Sequence, residues 1–391
     1  MKSKRDKKER EKDRLSDLCD SVLLNIMKFM DTKQVVQTCV LSTRWKTLWR
    51  RVTTLALNNS VFARGLPNYN QFVFSVLSHR DKSISLQDIV LRNERGVEPK
   101  LVDAVMKYAM SHNVENFTLE LYLNFKPGYT LRPSIFSCKS LTHLKLLFWG
   151  VPWMMKIPTS LELPALKSLH LISATFVAND NGIVEPFSNF KMLSTLVLNC
   201  WSLQHNATVL CISNSKLSSL CIGCTPPERY KVVLSTPNLN SISLFRGLVH
   251  QFSACDLSVL EEVNIDVAPG LKYGISGLIN WLEAIANYVK ILTLSSSTLE
   301  VLLHPTSSSI RSKLPCFFRL KSLKLKVKEL YRSADPKEVI RLLICFGKNS
   351  PQALKIIISG ILMFGANIIG VDCNMNTKAV MLAIQLVNDN P

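Results

Sequence analysis

Apolar positions fall at helical spacing along residues 15–49 and at strand spacing from about residue 114 onward. Val22, Leu23, Ile26, Met27, Phe29 and Met30 recur every three to four residues, which predicts a first helix with Asp20 as its cap. Thr32 is placed to cap a second helix around residues 33–38, with Val35 and Val36 as its apolar face. Ser42 is placed to cap a third, carrying Trp45, Leu48 and Trp49. Trp45 and Trp49 share one face of it, and Arg44, Lys46, Arg50 and Arg51 line the edges. Helices this short are marginal alone, and some forty residues make a poor independent core. Their surplus of apolar side chains predicts packing on a partner or on the next domain.

Further along, an apolar-x-x-apolar-x-apolar pattern returns. It occurs as Leu141/Leu144/Leu146, Leu166/Leu169/Leu171, Leu193/Leu196/Leu198 and Leu217/Leu220/Ile222. It continues as Leu239/Ile242/Leu244, Leu260/Val263/Ile265, Val289/Leu292/Leu294 and Leu320/Leu323/Leu325, with Val114/Phe117/Leu119 one interval earlier. From Leu141 onward, successive first positions lie 25, 27, 24, 22, 21, 29 and 31 residues apart. Most of these intervals fit a leucine-rich repeat, in which each unit is a short strand and a return, and only stacking buries its apolar side. Pro158, Pro164, Pro226 and Pro237 punctuate the returns. Residues 52–113 read as a connecting and capping segment, with an early strand in "RVTTLALNN" and amphipathic helices in "NQFVFSVLSHR" and "EPKLVDAVMKYAMSHNV". A sheet-rich domain without solenoid geometry is the plainer alternative.

Composition narrows the class. With 47% hydrophobic and 19% charged residues, the 391-residue chain can bury a large core and is not a disordered charged polymer. Its net charge of +18 fits acidic partners, or plain solubility. Residues 1–12 read as a basic, solvated, disordered tail, with a nuclear-import patch as the alternative. Eleven scattered cysteines and a start without an apolar signal region predict thiols in the cytosol or nucleus. The uncharged run at 356–371 has 16 residues, short of the roughly 20 that a spanning helix needs. Ile356, Ile357 and Ile358 suit a buried strand instead, so no membrane partner is expected.

Residues 13–51 resemble an F-box, the short helical module that docks on the adaptor subunit of a cullin–RING ubiquitin ligase. The resemblance rests on Asp13, Arg14, Leu15, Ser16, Asp17, Leu18, Val22, Leu23, Leu24 and Ile26. It continues through Val35, Val36, Thr38, Val40, Leu41, Ser42, Arg44, Trp45, Leu48 and Trp49 at fixed gaps. It implies a Skp1-like adaptor as partner, and through it the cullin–RING core. The implied adaptor contacts are Leu15, Leu18, Val22, Leu23, Ile26, Val35, Val36, Val40, Leu41, Trp45, Leu48 and Trp49. Cys19 stands where the family has proline, and Ser21 where it has an acidic residue. Loss of the fixed proline φ is expected to soften the first turn.

The whole layout resembles the plant F-box proteins with leucine-rich repeats. The repeats are assigned to residues 114–330. Residues 331–391 resemble the FBD segment in part, through "DPKEVIRLLICFGKNSPQALKIII", read as an apolar helix, "SP" and a strand. The expected fold is α/β: a three-helix F-box, then a leucine-rich-repeat solenoid with a curved parallel sheet. The resemblance implies a non-catalytic, substrate-recruiting subunit of an SCF-type ubiquitin ligase. Such a chain is a monomer within its complex and works in protein degradation, in the nucleus and/or cytoplasm. The alternative is a leucine-rich-repeat scaffold whose F-box, degenerate at Cys19, does not assemble with a cullin.

Strand alternation sends the residues between the leucines to the concave surface. The candidate substrate contacts are His143, Lys145, Ser168, His170, Thr195, Val197, Ser219, Cys221, Ser241, Ser243, Glu262 and Asn264. Ile291, Thr293, Ser322 and Lys324 extend the same face. Its middle is small and uncharged and its ends are more basic, which suits a protein degron or peptide. Cys221 and Cys224 form "CIGC", but no second pair completes a zinc site, and no metal is expected. His143 and His170, one repeat apart, read as surface geometry. No phosphate loop, dinucleotide fingerprint, "HExxH" or "GxSxG" occurs, so no catalytic residue and no cofactor is expected. The Trp-Leu-Trp face lacks the polar side chains of a DNA-reading helix, and no nucleic-acid partner is expected.

Overall fold

The computed structural model describes residues 15, 17–62, 66–94, 98–122, 133–149, 155–158, 161–177, 182–204, 207–223, 230–246, 251–267, 274–303, 314–327, 342–343, 345–346, 354–360, 362–364, 367–369 and 373–376. The chain forms two compact units, residues 1–125 and 126–391.

The first unit opens with helices α1 (Asp20–Met27), α2 (Thr32–Gln37) and α3 (Thr43–Leu48), with 3-10 turns at Thr38–Val40 and Trp49–Arg51. Their caps differ from the expectation. Cys19, not Asp20, occupies the N-cap of α1, and its side chain makes no cap hydrogen bond. Asp31, not Thr32, caps α2: its carboxylate accepts from the Lys33 N–H at 2.8 Å, while Gln34 Oε1 accepts from the Asp31 N–H at 3.2 Å. That reciprocal pair satisfies two otherwise orphaned donors. Ser42 is the N-cap of α3, without a side-chain bond.

After the helices come strand β1 (Thr54–Asn58), helix α4 (Leu66–His79), strand β2 (Asp88–Asn93), helix α5 (Pro99–Ser111) and strand β3 (Asn116–Tyr122). The strands are parallel, with Leu55, Ile89 and Phe117 in register and Leu57, Leu91 and Leu119 two residues on. All six side chains are fully buried. Val52/Leu55/Leu57 and Leu86/Ile89/Leu91 are two more copies of the repeat pattern, 34 residues apart. The segment expected as a connector thus carries two strand–helix units of its own. Buried Arg80 holds the turn after α4, donating from Nε to Val52 O at 2.9 Å, from Nη1 to Ile84 O at 2.8 Å and from Nη2 to Ser85 O at 3.1 Å.

In the second unit the pattern becomes a ladder. Strands His143–Trp149, Ser168–Ile172, Thr195–Asn199, Ser219–Gly223, Ser241–Arg246, Glu262–Val267, Ile291–Ser295, Ser322–Val327 and Lys355–Gly360 pair in that order, all parallel. Cys373–Asn376 closes the order antiparallel. Leu144, Leu169, Leu196, Leu220, Ile242, Val263, Leu292, Leu323 and Ile356 form one register row, each buried. Each such side chain contributes about 1.5–3 kcal/mol by leaving water. The uncharged run beginning at Ile356 enters this ladder as a strand, and no described helix is long and apolar enough to cross a membrane.

The returns have structure of their own. Met155–Ile157, Ala174–Phe176 and Ser202–Leu203 form one small parallel sheet. Ile183–Val184, Val209–Ser213, Lys231–Ser235 and Gln251–Ala254 form another. Where the interval lengthens to 29 and 31 residues, the return is a helix: Gly274–Ile285, then Ser296–Leu303. Buried Asn214 ties neighbouring repeats. Its Nδ2 donates to Phe187 O and Phe190 O, and its Oδ1 accepts from the Lys216 and Leu217 N–H groups. Most of the expected FBD-like helix lies outside the described residues, although Leu342, Leu343 and Phe346 are buried.

Candidate functional site

The N-terminal helices divide their apolar residues into two sets. Leu23, Met27, Val35, Trp45, Leu48 and Trp49 are buried within the chain. Leu15, Val22, Ile26, Phe29, Val40 and Leu41 are exposed, Phe29 at 92%, Val40 at 82% and Leu41 at 60%. Leu18 and Val36 are half-buried. Five expected adaptor contacts are therefore corrected: Leu23, Val35, Trp45, Leu48 and Trp49 form the module's own core. The reason is geometric. Helices of six to eight residues bury one face on each other, and the tryptophans, as the largest side chains, take that face. Phe29, absent from the expected contacts, is the most exposed large apolar residue among the described residues. Its signal was in the sequence, since it continues the Val22/Ile26 face at i+3 and i+7.

The start of α1 is pinned from α3. Arg44 Nη2 lies 2.6 Å from Asp20 Oδ1 and also donates to Leu18 O at 2.6 Å, and Arg51 Nη1 lies 3.3 Å from Asp20 Oδ2. Cys19 has φ −73°, within the range a proline would impose, so the chain enters the helix at the expected angle without proline. The Cys19 carbonyl accepts from the Val22 and Leu23 N–H groups, both at 3.1 Å. The thiol lies 3.1 Å from Ser21 Oγ, and this contact, with the Val22 N–H, lowers its pKa from the ordinary value.

On the ladder, strand alternation sets aside a second surface. Register rows place His143, Ser168, Thr195, Ser219, Ser241 and Glu262 side by side, and Lys145, His170, Val197, Cys221, Ser243 and Asn264 in the row two residues on. Ser168 is a correction: it is only 9% exposed, as are Thr293 at 3% and Ser322 at 9% further along. Each is a short side chain between longer register neighbours: His143 and Thr195, Asn264 and Lys324, Ile291 and Lys355. The other eleven candidates remain partly or fully exposed. His170 pairs with Lys145 and sits diagonal to His143. Burial, reinforced by Lys145 and His143, lowers its pKa to about 4, so the ring is neutral at physiological pH. Burial also raises the pKa of the Cys221 thiol, while its "CIGC" partner Cys224 lies outside the described residues. Among the described residues no three His, Cys, Asp or Glu side chains converge as a metal site.

Gly223 ends its strand against the next one. A Cβ there would meet Phe245 O at 2.4 Å and Phe245 Cβ at 3.0 Å, so the close approach of these two repeats requires glycine.

The chain thus presents short helices with an apolar outer face, followed by stacked strands with a largely polar outer face. The F-box family model matches residues 15–55. The model described as "FBD-associated F-box protein At5g56370, LRR repeats" matches residues 102–348. The chain belongs to this family of F-box proteins with leucine-rich repeats. It is 26% identical over 373 residues to F-box/LRR-repeat protein At4g14103 of Arabidopsis thaliana, covering 90% of this chain and 92% of that one. It is 25% identical to F-box/FBD/LRR-repeat protein At1g80470 of the same plant, covering 79% and 67%. Against the putative FBD-associated F-box protein At1g55030, also of that plant, identity is 27%, covering 65% of this chain and 58% of that one.

Proposed function

We propose that the chain is the substrate-recruiting subunit of an SCF-type cullin–RING ubiquitin ligase. The observation that carries this reading is the exposed apolar face of a module matched as an F-box: Phe29, Val40 and Leu41, with Leu15, Val22 and Ile26. F-box domains generally bind Skp1-like adaptors. Large apolar side chains left in water on so small a module are best accounted for by a partner that covers them. The ladder face then holds a protein substrate, and the chain itself makes and breaks no bond. Its contribution is to raise the effective concentration of substrate beside a recruited ubiquitin-conjugating enzyme. The site of action on this reading is the nucleus and/or cytoplasm, which imaging of a fluorescent fusion checks.

The test is capture of a plant Skp1-like adaptor by the purified full-length chain, beside Phe29→Ala/Val40→Ala. Wild-type capture is expected, with loss in the variant at unchanged melting temperature. A folded wild type that captures none of several adaptors favours the scaffold reading.

A further inference from the structure

The ladder face of the second unit changes character along its length. On strands Thr195–Asn199, Ser219–Gly223 and Ser241–Arg246, the outward positions Thr195, Val197, Ser219, Cys221, Ser241 and Ser243 are short, and Asn199, Phe245 and Arg246 stand at the strand ends. Ser241 Oγ donates to Ser219 Oγ at 3.1 Å, and Asn264 Nδ2 to Ser243 Oγ at 3.4 Å, so these groups bind one another across strands. The next strand carries the carboxylates Glu262 and Asp266, with Glu261 at its start. A strand with Ile291 and Ser295 outward and Thr293 buried between them follows. Then come Lys324 and Lys326, and Lys355 on the adjoining strand.

These lysines crowd neighbouring strands, and among the described residues only Lys324 has a carboxylate within ion-pair reach. Neither Ser322–Val327 nor Lys355–Gly360 contains Asp or Glu. Lys324 reaches back to Glu262 at 4.0 Å, whereas Lys326 and Lys355 are exposed and make no ion pair among the described residues. Alternation demands only polar residues at these positions, so folding alone does not explain a cluster of like charges on two adjoining strands. The acidic strand and the first lysine strand are two strand steps apart, which is roughly 10 Å. That is the reach of about three residues of extended chain.

We infer that this part of the face binds an extended polypeptide segment by its order of charge. Short uncharged residues lie over the hydroxyl strands, a basic residue lies over Glu262 and Asp266, and acidic residues about three positions further on lie over Lys324, Lys326 and Lys355. The inference rests on the substrate-recruiting reading and names the class of substrate segment. A polypeptide fits better than a nucleic acid, because an unbroken run of phosphates would cross the carboxylate strand at a penalty. Opposed charges of this kind act chiefly on specificity, since the wrong order sets like charges face to face.

The experiment measures fluorescence anisotropy of two labelled peptides with the full-length chain at low salt. One has a Gly/Ser run, an arginine, two neutral residues and three glutamates; the other exchanges its basic and acidic positions. The first is expected to bind about tenfold more tightly, with the difference shrinking as salt rises. The triple variant Glu262→Lys/Lys324→Glu/Lys326→Glu is expected to reverse the preference. Equal binding of the two peptides, binding of neither, or tighter binding of polyuridylic acid than of the first peptide overturns the inference. Adaptor capture by the same preparation is read separately. Capture without peptide discrimination sinks this inference alone, and discrimination without capture sinks the ligase reading alone.

Discussion

The N-terminal helices and the repeat strands solve the same problem differently. Both bury one face of each element, but the helices leave Phe29, Val40 and Leu41 outside, whereas the ladder leaves serines, threonines, glutamates and lysines outside. Apolar surface binds strongly and with little discrimination; patterned charge discriminates with little strength. On the proposed reading, the first suits a partner that stays the same, the second a partner that must be chosen. The two cores differ as well. The helical module closes on a few large side chains, while the ladder repeats one small contribution many times.

The largest effects should come from the cores. Leu196→Ala or Leu220→Ala removes a fully buried side chain from the register row, at about 2–5 kcal/mol in urea unfolding. Trp45→Ala should cost about 3–5 kcal/mol in the same measurement. It therefore tests whether the module folds and says little about docking. Next comes the outer apolar face: Phe29→Ala/Val40→Ala should weaken adaptor binding by thirtyfold or more in calorimetry, about 2 kcal/mol, with unfolding unchanged. A loss of stability equal to the loss of binding would erase the distinction between core and face drawn here.

Gly223→Ala should destabilise by about 1–3 kcal/mol, because the added methyl meets backbone that cannot swing aside. Cys19→Pro should stabilise by about 0.4–1 kcal/mol, read as a raised melting temperature, since φ is already −73° and the Cys19 N–H donates to no other described residue. The smallest effect is pH-dependent. His170 has a folded pKa near 4, below its unfolded value, so the unfolded chain binds the proton first on acidification. Its contribution to stability is complete above the unfolded pKa of about 6.5 and declines as pH falls from there towards 4. His170→Asn should remove that part of the acid dependence, and an NMR titration should find the His170 ring neutral at pH 6.

Much of the architecture is written in local periodicity. The strands centred on Leu144 through Leu323 lie where the apolar triplets put them, because alternation fixes which side chains face inward. The same triplet at Val52/Leu55/Leu57 and Leu86/Ile89/Leu91 was legible but hidden by long helical returns. The helix Gly274–Ile285 was missed although Ser276, Asn280 and Glu283 mark its exposed face at helical spacing, because the triplet pattern treats everything between Leu260 and Val289 as one return. Ser168 could not be read as buried, because its exposure depends on His143 and Thr195 in neighbouring repeats.

The sequence by itself determined the succession of ladder strands from Leu144 to Leu323, their inward rows and the module at the start, since each depends on spacing along the chain. Tertiary structure alone decided that Trp45 and Trp49 turn inward while Phe29, Val40 and Leu41 turn outward. It also decided that Asp20 serves as an anchor for Arg44 and Arg51, and that Glu262 and the lysines lie two strands apart. Spacing along the chain says which residues share a face; only packing between elements says which face meets water.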